Sequence, residues 1–224
     1  MSPLLLSLLV ASTAMALVVP AGLLTAWWLG TGKPFRGKVL VETLLTLPLV
    51  LPPTVVGFGL LLILGQQTVF GRYLNNALGI RLLFTWEAAA LASAIMAAPL
   101  FTRTAAAAFA TVERDLLDVG RTLGASEITL FLRVLIPISY RGLLAGGTLA
   151  FARALGEFGA TLMVAGTIPG RTQTLPLSLY AAVQNGKYDD AFKDTLLLTI
   201  LAFVLVGLVS AYTSTVATRR GEGR

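Results

Sequence analysis

The sequence has no cysteine and no histidine. Disulfides, Cys or His metal sites, a Ser-His-Asp triad and zinc-protease chemistry are therefore excluded from this chain. A carboxylate-only site is not excluded by that count. Charge is also scarce, at 12% of 224 residues. A soluble domain carries roughly 25%, so the balance argues against a soluble enzyme. No phosphate loop of the Gly-x-x-x-x-Gly-Lys-Ser/Thr kind is present, and no paired Asp ends an apolar strand, so ATP hydrolysis by this chain is not expected. Apolar residues are abundant instead: 56% are hydrophobic and the mean hydropathy is +0.81.

The apolar residues gather into five stretches, approximately Leu4–Leu29, Val39–Leu64, Leu82–Thr102, Ile138–Ala160 and Thr195–Thr215. At about 1.5 Å per residue each is long enough to cross a hydrocarbon core of about 30 Å. The expected fold class is an all-α polytopic membrane protein whose five helices use most of the chain as one transmembrane domain, residues 1–224. Met1–Leu9 lacks the positive start of a signal peptide, so the first stretch reads as a retained span. It ends in Trp27 and Trp28, a pair suited to a membrane interface. Thr161–Tyr180 is apolar but interrupted by Pro169, Gly170, Arg171 and Pro176. It reads as a re-entrant or short external structure buried against protein.

A net charge of +6 and a pI near 10.1 fit a membrane protein better than a nucleic-acid binder, because basic residues collect in cytoplasmic loops. Lys33, Arg36 and Lys38 follow the first span. Arg103, Arg114, Arg121, Arg133 and Arg141 mark the region between the third and fourth, and Arg219, Arg220 and Arg224 mark the tail. With five spans these segments share one side. The positive-inside rule then places the N-terminus outside and the C-terminus in the cytoplasm. One chain of five spans is small for a complete transporter, and a two-fold dimer is the natural completion.

The loop 103–137 is the most informative segment. Leu116, Leu117, Gly120, Leu123 and Gly124 fall at helical spacings, and Ile128, Phe131, Leu132 and Leu135 continue the stripe beyond Gly124-Ala125-Ser126. Ser126 is suited to start a second helix, and Pro137 to let the next span begin. The segment reads as two short helices joined at Gly124. Such a knob either lies on the lipid or docks a soluble partner whose groove receives its apolar residues. Arg103 and Arg141 flank it, placed for anionic lipid or for that partner.

Asp118-Val-Gly-Arg-Thr-Leu-Gly124, then nine residues, then Val134-Leu-Ile-Pro137, resembles the coupling-loop motif of ABC importer permeases: Glu-Ala-Ala, three residues, Gly, nine residues, Ile, one residue, Leu-Pro. Asp118 stands where Glu is usual, Val119 and Gly120 where Ala-Ala is usual, and Ile136 for Leu. Gly120 in the first short helix is expected to weaken it, since Gly costs about 1 kcal/mol relative to Ala. The resemblance implies that Thr122–Leu132 inserts into a nucleotide-hydrolysing subunit, with Asp118, Gly120, Arg121, Leu123, Gly124, Ala125, Ser126, Phe131 and Pro137 carrying the coupling.

Leu47-Pro-Leu-Val-Leu-Pro-Pro-Thr-Val-Val-Gly57, Phe151-Ala-Arg-Ala-Leu-Gly-Glu-Phe-Gly-Ala-Thr161 and Ile168-Pro-Gly-Arg-Thr-Gln-Thr-Leu-Pro176 closely resemble the molybdate importer permeases; sulfate permeases share the Gly-Glu-Phe-Gly-Ala core. The resemblance implies a type I ABC importer permease fold and a second copy of the chain. It also implies two cytoplasmic ATPase subunits that bind ATP and Mg, and an external substrate-binding protein. The cargo implied is molybdate, with sulfate or tungstate as alternatives, and no cofactor or metal is expected in this chain. An ion-gradient-driven secondary transporter and a membrane scaffold are the competing classes.

Pathway candidates come from the same stretches. Pro48, Pro52 and Pro53 each remove a backbone donor and distort the second span, making it a kinked lining helix with Thr54 and Gly57 on it. Arg153 and Glu157 lie four residues apart, on one face of the fourth span. They either hold the gate or the subunit seam, or simply pair to hold the fold. Phe158, Gly159 and Thr161 complete the expected gate region.

Overall fold

The computed structural model describes residues 1–31, 36–79 and 81–221. Lys33 of the expected basic loop and Arg224 of the tail lie outside the described residues. The described chain is helical: α1 Pro3–Thr31, α2 Lys38–Val50, α3 Pro53–Leu64, α4 Val69–Leu78, α5 Trp86–Ala110, α6 Arg114–Thr122, α7 Glu127–Leu130, a π-helical turn Phe131–Leu135, α8 Ile136–Leu155, α9 Gly159–Ala165, α10 Leu175–Gln184 and α11 Tyr188–Gly221.

Helix α5 is the axis of the bundle. It is alanine-rich, and Ala94, Ala97, Phe101, Ala105 and Phe109 enter one core with Ala11, Ala14, Val18 and Ala26 of α1 and Ala150 and Ala154 of α8. Small side chains let backbones approach, which is how helices associate where lipid is as apolar as their own surface. The residue pairings give the directions. Gly22 meets Phe101 and Gly30 meets Ala106, so α1 and α5 run parallel; Gly142 meets Ala108 and Gly147 meets Phe101, so α8 runs antiparallel. The ends of α1 and α5, the α6–α7 pair and the start of α8 therefore lie at one end of the molecule. At the other end Leu175 N donates to Ser7 Oγ at 2.7 Å, and α9 and α10 cover the start of α1.

Among the described residues three continuous helical stretches are long and apolar enough to cross a membrane, with a fourth if α2 and α3 together make one span. That pair is bent by 112°. Pro48 lies inside α2 without ending it. The break falls at Leu51-Pro52, both extended with ψ 141 and 135, because a residue that precedes proline is pushed out of the helical region. Pro53 then starts α3, where its missing N–H is harmless.

Two other helix ends differ from the sequence expectation. Helix α5 continues to Ala110, so Arg103 is a helical residue and not part of a loop. Helix α8 ends at Leu155 with Gly156 as its C-cap, so Glu157 lies in the turn before α9 and not on one helix with Arg153. Pro137 does not open a new helix either: Glu127 to Leu155 is continuous, and the π turn at Phe131–Leu135 absorbs the missing N–H and the ring clash with the carbonyl four residues back.

Candidate functional site

Two constellations stand out, one at each end of the bundle. The first is the knob α6–α7. Helix α6 ends in a Schellman motif: Ala125 N donates to Gly120 O and Gly124 N to Arg121 O, each at 3.0 Å. The motif needs a left-handed residue, and Gly124 supplies φ +83. Ser126 caps α7, its Oγ accepting from Thr129 N at 3.2 Å. Arg121 ties the two helices together, Nε to Glu127 Oε1 and Nη1 to Asp118 Oδ1, both at 2.6 Å. Hydrogen bonding to Glu127 and then to Asp118 holds this guanidinium well above its ordinary range.

Gly120 has a role that its helix propensity hides. A Cβ there would sit 2.4 Å from Leu130 Cδ2, so the missing side chain leaves room for the Leu130 methyl against α6. Leu117, Leu130 and Phe131 are buried, while Leu123 is 81% and Ile128 66% exposed at the tip, beside exposed Val119 and Leu132. Ala125 is half-buried, Pro137 exposed. The structure thus gathers Asp118, Gly120, Arg121, Gly124, Ala125 and Ser126 into one rigid turn with Leu123 at its apex.

Phe131 connects the knob to the bundle. Its ring stacks on Trp27 of α1, centroids 4.7 Å apart, and meets Phe109 of α5 edge-on at 6.1 Å. Leu130 and the Trp27 contact were not assigned to the site from sequence. Trp27 read as an interfacial aromatic, and nothing local in the sequence reveals a ring partner about a hundred residues away.

The second constellation surrounds α9. Glu157 Oε1 accepts from Ala160 N at 2.8 Å and so caps that helix. Its Oε2 lies 2.6 Å from Arg153 Nη1, a close ion pair that is off the axis of a hydrogen bond. The Glu157 side chain is 1% exposed and that of Arg153 28%. Helix α3 packs on α9 at very short range. A Cβ on Gly57 would lie 2.7 Å from Ala160 Cα and 2.8 Å from Met163 Cβ, and one on Gly159 would lie 3.0 Å from Pro53 Cβ and 3.3 Å from Thr54 Cγ2. Phe158 packs on Tyr180 of α10, centroids 5.1 Å apart. Thr161 is fully buried, and its hydroxyl has no partner among the described residues. Pro53, Thr54, Gly57 and Gly159 are therefore brought together, with Glu157 and Thr161 on the same short helix or its cap. Pro48 and Pro52 stand apart from this contact, within α2 and at the bend. Phe84 was missed by the sequence reading: it holds a positive φ of 61 and its N–H donates to Val164 O of α9 at 2.9 Å.

A family model described as "Binding-protein-dependent transport system inner membrane component" matches residues 18–220. The putative molybdenum transport system permease protein YvgM of Bacillus subtilis is 40% identical over 205 residues, covering 92% of this chain and 90% of that protein. The molybdenum transport system permease protein ModB of Escherichia coli is 37% identical over 216 residues, covering 96% and 94%. Among solved structures, a bacterial ABC transporter involved in the import of the acidic polysaccharide alginate aligns with TM-score 0.71 at 16% identity, covering 96% of this chain and 80% of that one. The inward-facing MetNI methionine ABC transporter aligns with TM-score 0.65 at 16% identity, covering 96% and 92%. These two show the fold.

Proposed function

Because the chain belongs to the family of binding-protein-dependent transport system inner membrane components, we propose that it is the membrane-spanning permease subunit of an ATP-driven importer for molybdate or a similar tetrahedral oxyanion, sulfate and tungstate included. The relatives named as molybdenum transport permeases support the cargo. The working assembly is two copies of this chain, two cytoplasmic ATPase subunits and an external binding protein. Each chain crosses the membrane five times, through α1, α2–α3, α5, α8 and α11, with its N-terminus outside and its C-terminus inside. The gathering of the knob, Lys38 and Arg103 at one end of the bundle supports that orientation.

One observation carries this reading. The knob is built rigidly from Gly124, Arg121 and Ser126, yet its apex residues Leu123 and Ile128 are left exposed. An apolar tip held this firmly is suited to a groove in a partner. When the ATPase pair closes on ATP, force on the knob passes through Phe131 to Trp27 of α1 and Phe109 of α5. Helices α1 and α5 run parallel from that end, and α5 reaches α9 at the other. The bend at Leu51-Pro52 and the α3–α9 contact form the part that opens outward, and hydrolysis returns it. Arg153 and Glu157 act by holding α9 in place and are not cargo ligands.

The test is to purify the chain with its ATPase partner and measure oxyanion-dependent ATP hydrolysis in the presence of the binding protein. Molybdate is expected to stimulate, and Leu123→Asp is expected to abolish stimulation while the chain remains inserted. Uptake of molybdate driven by an ion gradient without an ATPase would reject the proposal.

A further inference from the structure

Between Glu42 and Glu87 the sequence has no acidic residue and only two basic ones, Arg72 and Arg81. The first lies in α4 and the second just beyond it. Helix α4 has ten residues. At about 1.5 Å per residue it is about 15 Å long, half of what a hydrocarbon core requires, so it does not span. It follows α3 at the end of the bundle opposite the knob, where Leu60 and Leu61 of α3 and Trp86 of α5 pack with Ala160 and Val164 of α9. The turn into it is tight. Thr68 Oγ1 donates to Ile63 O at 2.7 Å and accepts from Gly71 N at 3.0 Å. Gly71 is buried, and a Cβ on it would overlap Gly65 O. This contact fixes which side of α4 faces the end of α3.

Helical geometry sorts the remaining residues of α4 into two faces. Phe70, Tyr73 and Ala77 fall within about 60° of one another, with Val69 at their edge. All four are exposed, Val69 to 78%, Tyr73 to 61% and Phe70 to 51%. Arg72 lies about 160° from Phe70. Its guanidinium has no ion pair or hydrogen bond among the described residues. Asn75 Oδ1 accepts from Arg81 Nε at 3.0 Å, which brings a second cation to the polar side. Neither water nor hydrocarbon suits both faces. Water leaves two aromatic rings and a valine unburied, and hydrocarbon strands Arg72 and Asn75. The boundary between the two media suits both. Aromatic residues concentrate at that boundary, and exposed Phe84 stands just ahead of α5 at the same end. Exposed apolar surface on α3, at Phe58, Leu62 and Ile63, leads directly into α4 along the chain.

We propose that α4 lies in the plane of the membrane interface opposite the knob, with Phe70, Tyr73 and Ala77 turned into an anionic phospholipid surface and Arg72 and Arg81 at its phosphates. Amphipathic helices of this kind bury their apolar face about 5–10 Å into the boundary between headgroups and acyl chains, and basic residues strengthen their hold on anionic lipid. Two cations with no acid to offset them supply the complementary charge. Because the Thr68 turn ties α4 to α3, the lipid surface holds the end of α3 at a set depth. That anchor sits at the opposite end of α3 from the bend at Leu51-Pro52.

The absence of native cysteine makes the test direct. Phe70→Cys, Tyr73→Cys, Ala77→Cys and Arg72→Cys are made one at a time in the full-length chain, spin-labelled and placed in nanodiscs of phosphatidylglycerol and phosphatidylcholine. All four positions are exposed, so the labels displace no packed side chain. Collision with oxygen, which enters lipid, is compared with collision with a water-soluble nickel chelate. Oxygen is expected to exceed nickel by several-fold at Phe70, Tyr73 and Ala77, and nickel to exceed oxygen at Arg72. A fluorophore on Tyr73→Cys is then quenched by spin-labelled lipid of either kind. Phosphatidylglycerol is expected to quench several-fold more strongly than phosphatidylcholine, and Arg72→Gln combined with Arg81→Gln to bring the two level. Nickel access at all four positions would put α4 in water and overturn the proposal. Shielding of Phe70 and Tyr73 from both agents would put protein on this face and overturn it too, and dipolar coupling between labels would identify that protein as a second copy. Equal quenching by the two lipids with both arginines in place also overturns it.

Discussion

Trp27 and Phe131 stack with centroids 4.7 Å apart, joining the end of α1 to the π turn that carries the knob. Phe131 is 8% exposed and also touches Phe109, so it packs the α6–α7 pair onto the bundle. Phe131→Ala is expected to destabilise the chain by about 3 kcal/mol or more, in the range for burying less aromatic surface and leaving a cavity. In a double-mutant cycle with Trp27→Ala the coupling is expected at about 0.5–1.5 kcal/mol. Chemical denaturation of the detergent-solubilised protein measures both, and strict additivity would remove Trp27 from the force path.

Gly124 sits at φ +83 with open space around it. The cost of replacing it therefore comes from the backbone and not from a clash within the chain. Gly124→Ala is expected to cost about 1–2 kcal/mol, the left-handed penalty of an ordinary residue. Gly124→Asn, which tolerates that region, should cost less. Gly124→Trp adds bulk at the apex and is expected to uncouple ATP hydrolysis from transport while the spans stay inserted. Intact transport in that variant would contradict the coupling role.

Gly120 presents the opposite case, since its φ is ordinary and its surroundings are tight. Gly120→Ala drives a methyl toward Leu130 and is expected to cost about 1–3 kcal/mol through overpacking. Adding Leu130→Ala removes the clashing atoms, so the double variant should recover part of that loss in thermal unfolding. No recovery would mean that the strain lies elsewhere in α6.

Arg121 binds two exposed carboxylates, and exposed pairs contribute at most about 1 kcal/mol each. Arg121→Ala is therefore expected to change unfolding little but to loosen α6 from α7, seen as faster proteolysis between Thr122 and Ser126. Wild-type protection should weaken as salt is raised. Equal cleavage of both proteins would show that the Schellman motif alone holds the turn.

Glu157 carries two separable jobs. Glu157→Gln keeps an oxygen for Ala160 N and removes the charge opposite Arg153; Glu157→Ala removes both. Breaking a buried pair costs about 3–5 kcal/mol, reduced here because Arg153 is 28% exposed. Glu157→Ala is expected to be the less stable of the two by about 1 kcal/mol, the size of a lost cap. Thermal unfolding of purified protein ranks them, and equal midpoints would deny the capping role.

The helical membrane class was legible because it follows from composition and run length, and the matching relatives and folds agree with it. The small-residue break at Gly124-Ala-Ser126 was legible as a joint because glycine and serine at those places have local backbone meanings. Helix ends were less legible. Pro48, Pro52 and Pro53 look alike in sequence, but only the adjacent pair Pro52-Pro53 forces two successive residues out of the helical region. Pro137 looks like a helix start, yet a π turn lets the helix pass through it. Gly120 read as a weakness because propensity knows nothing of Leu130.

Sequence by itself determined what depends on the chain's own composition and near neighbours: that its helices are apolar, that charge sits between them, that a glycine turn separates two short helices, and that an acid follows an arginine by four. Tertiary structure alone decided which distant groups meet: Trp27 with Phe131, and Gly57 with Ala160. The reason is physical. Backbone preference and hydropathy act over a turn or two of helix, whereas packing is settled by which surfaces can come close, and that depends on every other helix in the bundle.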